Sequence, residues 1–492
     1  MSTLPARNYH LLDDRVLPGF LSAARPIAAS RPWFSGLILG VADLAAVASS
    51  FLCSVLLWSL LRHQIDLRDY LSLWPAPFSF PLAYAAAGLY PGIAIHPAEQ
   101  MRRAALATAS VYFLLGSMTF VFREAEVYSR AVFLLALVQT LIMVPLVRGL
   151  LKSRLGKTSA WGSSVVVIGA GTSGLRLIEV LQADPSIGLH PVALLADLPV
   201  GTREVAGVPV VGDMSLAPEL ATSWGIPYAI VTQSKFTMKA GVASIIAACE
   251  VFPHLMVIPD LLTMSSLWVE TVDLGGFLGL ETRQQLLRPG ARLIKRVADI
   301  AMSVSLALIL SPLLLVIACL VKLGSPGPCL YGHRRCGRNG RAFLVWKFRS
   351  MVQNADRVLD FHLTNDPSLR SEWNSGQKLS HDPRVTPIGR FLRKTSLDEL
   401  PQLWNVLTGE MSLVGPRPIM QEEISRYQED FVHYGRVKPG VTGLWQVSGR
   451  NRLTYQERVR LDVYYVRNWS PWLDIYILAR TAKAVCKGDG AC

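Results

Sequence analysis

The sequence predicts a membrane protein in three parts: a four-helix transmembrane domain, a Rossmann-like α/β domain, and an α/β domain with a re-entrant membrane helix. Three observations predict it. Four long apolar stretches fill the N-terminal third, a β-run followed by Gly169-Ala-Gly171-Thr-Ser-Gly174 opens a second pattern, and a fifth apolar stretch, interrupted by Ser311-Pro312, precedes a basic, turn-rich C-terminal part. At 492 residues and 51% hydrophobic content, the chain is too long for one compact domain and too apolar for an ordinary soluble protein.

The four stretches cover 33–61, 71–95, 104–122 and 131–150, each close to the ~20 residues a helix needs to cross a bilayer. They set a transmembrane domain at 33–155 behind a tail at 1–32. Arg25 and Arg31 precede the first stretch, Arg102 and Arg103 separate the second from the third, and Arg148, Lys152, Arg154 and Lys157 follow the fourth. Cations collect on the cytoplasmic side, so both ends of the domain are expected there. The 62–70 loop says less, because Arg62 and Arg68 are offset by Asp66 and Asp69. Asp43 lies inside the first stretch, and a carboxylate at that depth must face other helices or water. The first 30 residues lack the apolar core and cleavage site of a signal peptide, which predicts a cytoplasmic N-terminus. Seven cysteines without a CxxC spacing predict a reduced protein without structural disulfides.

Between 161 and 282 the pattern is that of a doubly wound domain. A β-run at Val165 to Ile168 leads through the glycines into a helix from Leu175, a second run ends at Asp197, and a third covers Tyr228 to Thr232. Glycines at such a turn let a phosphate approach a helix N-terminus, or only shape the turn. Nicotinamide chemistry is disfavoured, since Tyr228 is followed four residues on by Thr232, not by the lysine of a Tyr/Lys proton-transfer pair.

The fifth stretch, 297–321, carries Ser311-Pro312 at its middle and cations on both flanks: Arg292, Lys295 and Arg296 before it, Lys322, Arg334 and Arg335 after it. Proline removes a backbone donor and bends a helix, and a serine hydroxyl can satisfy the freed carbonyl. A broken helix that enters and leaves by one leaflet fits both features, and it keeps the rest of the 290–492 domain on the cytoplasmic side.

The formal net charge of +13 suits nucleic acid, anionic lipid or phosphorylated substrates. Nucleic acid is disfavoured as a partner, because the C-terminal cations sit among acids, glycines and prolines and lack interleaved aromatic stacking platforms. Within this basic region Asp398-Glu399 is an adjacent carboxylate pair following Ser396. A carboxylate in a first helical turn is favoured by unpaired N–H groups, stays ionised and can act as a nucleophile or as a hard ligand for Mg2+. The bland alternative is a capping box in which Glu399 reaches back to Ser396, against which Pro401 counts.

From Lys295 onward the chain resembles the monotopic phosphoglycosyl transferases of the bacterial sugar transferase family. The resemblance rests on Lys295-Arg296, Ser311-Pro312, Lys347-Phe-Arg349-Ser-Met351, Ser396-Leu-Asp-Glu-Leu-Pro401, Asn405-Val-Leu407, Met411-Ser-Leu-Val-Gly-Pro-Arg417-Pro418, Pro439-Gly-Val-Thr-Gly443 and Leu461-Asp462-Val-Tyr-Tyr465. The preceding domains look like those of the family's large subclass, typified by undecaprenyl-phosphate galactose phosphotransferases. The resemblance implies an inner-membrane enzyme whose catalytic domain faces the cytoplasm. Asp398 would attack a UDP-hexose, Glu399 would hold Mg2+, and the product would form on undecaprenyl phosphate. By the same likeness Arg393 and Arg417 would bind phosphate, while Lys295, Arg296, Arg335, Lys347, Arg349 and Asp462 would lie in or near the substrate pocket. UDP-hexose, undecaprenyl phosphate, membrane lipid and a second copy in a homodimer are the expected partners. Galactose is the expected sugar with glucose close behind, and an NAD-dependent sugar-nucleotide oxidoreductase or a membrane-tethered sensor of nucleotide sugars remains as a rival reading. Glu410 departs from the family pattern, which has aspartate there, and Cys336 and Cys492 replace more common apolar or aromatic residues.

Overall fold

The computed structural model describes residues 32–62, 70, 72–121, 128–156, 158, 161–196, 204–212, 216–232, 251–258, 269–273, 278–282, 286, 289–376, 379, 382–449 and 453–487. The tail at 1–31 and Asp197 lie outside them. The chain divides into two compact units, Met1–Met264 and Ser265–Cys492.

In the first unit, helices α1 (Pro32–Arg62), α2 (Ser79–Ala86), α3 (Pro97–Val121) and α4 (Arg130–Leu155) form the apolar domain. By length and composition α1, α3 and α4 can each cross a membrane. They bear large apolar side chains outward, such as Leu37, Leu52, Phe113, Phe120, Leu134 and Leu146, as a lipid-facing surface requires. The second expected span is corrected. The 71–95 stretch holds only the eight-residue α2 behind the 3-10 turn Ala76–Phe78, because Pro75, Pro77, Pro91 and the positive-φ Gly88 and Gly92 interrupt a longer helix. The segment still runs the length of the bundle. Ser72 meets the Tyr128 hydroxyl at 2.7 Å at the start of α4, and the Gly92 carbonyl accepts from Lys152 at 2.7 Å near its end. Those levels are ~33 Å apart along α4 at 1.5 Å per residue.

Irregular backbone at membrane depth has to be satisfied by protein, and buried cations do this here. Arg148 is ion-paired with Asp43, with Nε to Oδ1 at 2.8 Å, and it also donates to the Leu89 carbonyl; the Tyr90 hydroxyl donates to Asp43 at 2.6 Å. Lys152 bridges the Gly92 carbonyl and Gln100. Arg148 and Lys152, which count as flanking charges in the sequence, are thus 1% and 8% exposed. Asp43 faces other helices, as its depth demands.

The same unit carries a six-stranded sheet in the order β3-β4-β2-β1-β5-β6. Its strands are β1 (Ser163–Ile168), β2 (Leu189–Leu195), β3 (Glu204–Val205), β4 (Val208–Gly212), β5 (Tyr228–Thr232) and β6 (His254–Ile258). All pairings are parallel except β3 with β4. Strand β1 is buried along its whole length, which is why it reads as a continuous apolar run. Helix α5 (Thr172–Ala183) follows the glycine loop. A Cβ on Gly174 would lie 2.1 Å from the Gly169 carbonyl oxygen, so this glycine permits close helix–strand packing. The strand order reverses between β1 and β5, the position at which such sheets form a crevice, and there the Thr232 hydroxyl donates to the Gly169 carbonyl at 2.9 Å.

The second unit begins with the hairpin β7 (Val269–Asp273) and β8 (Leu278–Thr282), followed by α6 (Pro289–Gly324). Helix α6 is continuous through Pro312, whose missing N–H leaves the Leu308 carbonyl without its helical partner; the Ser311 hydroxyl donates to that carbonyl at 2.8 Å. The remainder includes the antiparallel hairpin β9 (Leu330–Cys336) and β10 (Ala342–Phe348), helices α7 (Ala355–Asn365), α8 (Pro367–Gly376), α9 (Pro387–Thr395) and α10 (Gln402–Thr408), the parallel pair β11 (Ser412–Val414) and β12 (Gly440–Thr442), and helices α11 (Tyr455–Asn468) and α12 (Pro471–Lys487). Near the start of α6, Asp299 accepts from the Ser412 hydroxyl and the Leu413 amide, both at 3.1 Å. Near its end, Ile317 and Val321 pack on Phe348 and Leu392. Between these anchors Leu308, Ile309, Leu315 and Val316 stand exposed.

Candidate active site

Helix α9 leads into the site. Thr386 caps it by accepting from the Gly389 amide at 3.0 Å, and Pro387 occupies the first turn, where its missing donor is harmless. A Cβ on Gly389 would sit 2.0 Å from the Ser350 carbonyl oxygen; glycine therefore lets α9 press onto the segment leaving β10, which carries Lys347. Ser396 ends α9 in the left-handed region at φ 56°, and the chain makes the 3-10 turn Leu397–Glu399 before α10 starts. Pro401 is the N-cap of α10, so it interrupts no helix interior. The Ser396 side chain makes no cap hydrogen bond. The capping-box alternative is therefore absent.

The two carboxylates of this turn share one cation. Lys347 Nζ lies 2.6 Å from Glu399 Oε1 and 4.0 Å from Asp398 Oδ2. Burial pushes the Asp398 carboxyl up, with Glu399 adding to the rise while Lys347 and Arg393 pull it back. A three-residue 3-10 turn has little dipole to set against burial, so the carboxyl sits above its ordinary value. Arg393 is oriented by donating from Nε to the Ser350 hydroxyl at 2.8 Å. Arg335 on β9 belongs to the same field. Burial lowers its pKa and neighbouring Arg417 lowers it further, while Glu423, Tyr434 and, least, Glu399 oppose both. Arg417 is exposed and stacks over Trp445 at 5.8 Å.

Four expected residues thus come together, Asp398, Glu399, Lys347 and Arg393, with Arg335 in the field of Glu399 and Arg417 beside Arg335. The others serve the framework. Lys295 pairs with Asp474 at 2.7 Å against the Tyr465 and Trp469 rings. Arg296 donates to the Val406 and Leu407 carbonyls at the end of α10. Arg349 holds the turn after α6 through the Ser325 and Pro326 carbonyls. These contacts hold the three side chains against the protein, and Arg349 Nε is left buried with no hydrogen-bond partner. Asp462 is buried with its Oδ2 accepting from Tyr427 at 2.7 Å; burial pushes it up to about 8, against the effects of Tyr427 and Arg417. Sequence reasoning gave no role to Ser350, Trp445 or the fully buried Asn405. Asn405 supports β10 by bonding the Trp346 amide and the Leu344 carbonyl, and it also donates to Glu410 at 2.7 Å. Their only sequence signal was membership of, or proximity to, the recurring motifs.

The donor set fits Mg2+, which takes one or two carboxylates and completes its shell with water and substrate phosphate. Asp398 and Glu399 supply two carboxylates; among the described residues no larger cluster of His, Cys, Asp or Glu is present.

A polytopic apolar domain joined to a doubly wound sheet, with an acid pair set among arginines and a lysine on a second unit, defines a membrane-bound enzyme class that handles anionic substrates. Residues 290–488 match the bacterial sugar transferase family and residues 85–251 match a CoA-binding domain. The chain is 39% identical over 371 residues to the undecaprenyl-phosphate galactose phosphotransferase of Salmonella typhimurium, covering 74% of this chain and 76% of that one. It is 38% identical over 370 residues to the UDP-galactose-lipid carrier transferase of Erwinia amylovora, covering 74% and 76%. It is 39% identical over 235 residues to the UDP-glucose:undecaprenyl-phosphate glucose-1-phosphate transferase of Escherichia coli, covering 46% and 47%. The chain belongs to the bacterial sugar transferase family.

Proposed function

We propose that this chain transfers hexose 1-phosphate, with galactose as the preferred sugar, from a UDP-hexose to undecaprenyl phosphate, releasing UMP and starting lipid-linked polysaccharide synthesis. The observation that carries the reading is the Asp398-Glu399 turn, with Lys347 between the two carboxylates, Arg393 acting on Asp398 and Arg335 in the field of Glu399. Asp398 attacks the β-phosphorus of the donor. An Asp398 O–P bond forms as the bridging P–O bond breaks, and UMP leaves with that electron pair. An oxygen of the lipid phosphate then attacks the same phosphorus, the Asp398 O–P bond breaks, and the carboxylate is restored. No external oxidant or proton source is required. Arg393, Arg335 and Arg417 neutralise the diphosphate, so that a carboxylate can approach an anionic centre. Glu399 would hold Mg2+, which when bound would supply charge neutralisation at the leaving phosphate.

Two anchors support a re-entrant α6: its start and its end are both fastened to the same domain, while the apolar middle is exposed. On that reading the domain stays on the side where nucleotide sugars are made, the cytoplasmic face of the inner membrane. The enzyme would act there as a homodimer, a state that light scattering of the purified chain reads directly. Galactose is favoured because two of the relatives matched over about three quarters of the chain are named for it. A UMP-release assay with purified protein, undecaprenyl phosphate and a UDP-hexose panel tests the proposal. UDP-galactose should give the highest kcat/KM; faster turnover of UDP-glucose would overturn the sugar, and no UMP from any donor would overturn the reaction.

A further inference from the structure

Arg393 acts on two carboxyl groups and is hydrogen-bonded to neither. It helps to pull the Asp398 carboxyl back against burial. Burial also pushes the Asp382 carboxyl up, but Arg384 and, last, Arg393 hold it below its ordinary value. Asp382 already has a cation of its own. Arg384 donates to it from Nε to Oδ1 at 2.8 Å and from Nη2 to Oδ2 at 2.7 Å, and stacks over Trp373 at 5.1 Å. Among the described residues the hydrogen bond that Arg393 does make is from Nε to the Ser350 hydroxyl at 2.8 Å. A neutral group thus holds a cation that two acids attract.

Ser350 is itself firmly placed. It is buried, and its carbonyl accepts from the Thr386 amide at 3.1 Å, at the N-cap of α9. Two residues on, the Val352 amide donates to the Arg384 carbonyl at 2.9 Å, which ties the same segment to the Asp382 turn. One serine therefore grips α9 at its first turn through the carbonyl and at its last through the hydroxyl. An arginine has one donor at Nε and four on its terminal nitrogens, and the terminal pairs suit two-point binding of phosphate. Fixing the side chain at Nε leaves those four donors unspent.

We infer that Ser350 is a positioning residue: by holding Arg393 at Nε, its hydroxyl keeps the guanidinium with Asp398 and off Asp382, with the terminal donors open to the donor diphosphate. The inference rests on the proposed UDP-hexose donor, so its test includes a readout without turnover. Full-length wild type, Ser350→Ala, Arg393→Met and the double variant are assayed for UMP release from UDP-galactose and for binding of inorganic pyrophosphate by calorimetry, with folding checked by thermal melting. Ser350→Ala should lower kcat/KM and pyrophosphate affinity about tenfold, the scale of a hydrogen bond to a charged group. Its acid limb of UMP release should move upward, because Arg393 no longer holds the Asp398 carboxyl down. In the Arg393→Met background the same change should have little further effect, since nothing is left to position. Equal losses in both backgrounds would show that Ser350 only packs α9 against the end of β10, and would overturn the inference. So would an unmoved acid limb, or a folded Ser350→Ala protein with wild-type rate and affinity. If Ser350→Ala does not fold, Ser350→Cys, close in size but only a weak acceptor, takes its place. A wild type that releases no UMP, but whose pyrophosphate binding shows the coupled loss, would refute the reaction and keep the role of Ser350.

Discussion

Replacing Lys347 with methionine removes the cation shared by the two carboxylates while keeping the length of the side chain. At 4.0 Å from Asp398, a unit charge is worth ~4 kcal/mol at an effective dielectric of 20. The Lys347 side chain is 29% exposed, and solvent screening reduces this to about 1–2 kcal/mol, or about one pKa unit. Burial already favours the neutral form of Asp398. The attacking carboxylate is therefore gained as pH rises through a value above the usual carboxylate range. Lys347→Met should move that acid limb upward by about one unit, so the rate on the limb falls about tenfold. The assay is UMP release from donor alone as a function of pH, with folding checked by thermal melting. A fall on the high-pH plateau would report lost contact with the diphosphate, whereas the shift of the limb reports the carboxylate itself. A folded variant whose limb does not move would refute the assignment of Asp398 as the titrating nucleophile.

Two further outcomes follow from the packing. Arg148→Met should lower the melting temperature of the detergent-solubilised protein strongly, because removing one partner of a buried pair costs about 3–5 kcal/mol; Asp43→Leu combined with Arg148→Met should recover part of it, and additive losses would contradict the pairing. Cysteines introduced at Arg292 and Lys322, at the two ends of α6, should both be protected from an impermeant thiol reagent applied to intact spheroplasts, whereas labelling at Lys322 alone would show a full crossing.

The sequence showed its local signals clearly. Strand β5 coincides with the apolar run at Tyr228 to Thr232, and the Ser311 hydroxyl bonds the carbonyl that Pro312 leaves free. The acid pair was legible as adjacent carboxylates in a basic region, and Lys347, Arg393 and Arg417 through the resemblance. Long-range partners were not. Asp43 and Arg148 are 105 residues apart, and nothing in either neighbourhood specifies that they meet. Composition likewise does not say where a cation spends its donors. Lys295, Arg296 and Arg349 look like Lys347 in sequence, but carbonyls and a buried Asp474 take their hydrogen bonds. The 71–95 stretch reads as a uniform apolar span because hydropathy averages over the prolines and glycines that break its helix. The upward shift of Asp398 was hidden for a related reason: burial is a tertiary property that the local sequence does not show.

The central claim is that Asp398 becomes covalently phosphorylated by the donor. Purified protein incubated with UDP-galactose and Mg2+ in the absence of acceptor lipid should gain one hexose phosphate, mapped by peptide mass spectrometry to the segment containing Asp398, and Asp398→Asn should abolish both the adduct and UMP release. An adduct on any other residue, or near-normal turnover by a folded Asp398→Asn protein, would contradict the mechanism.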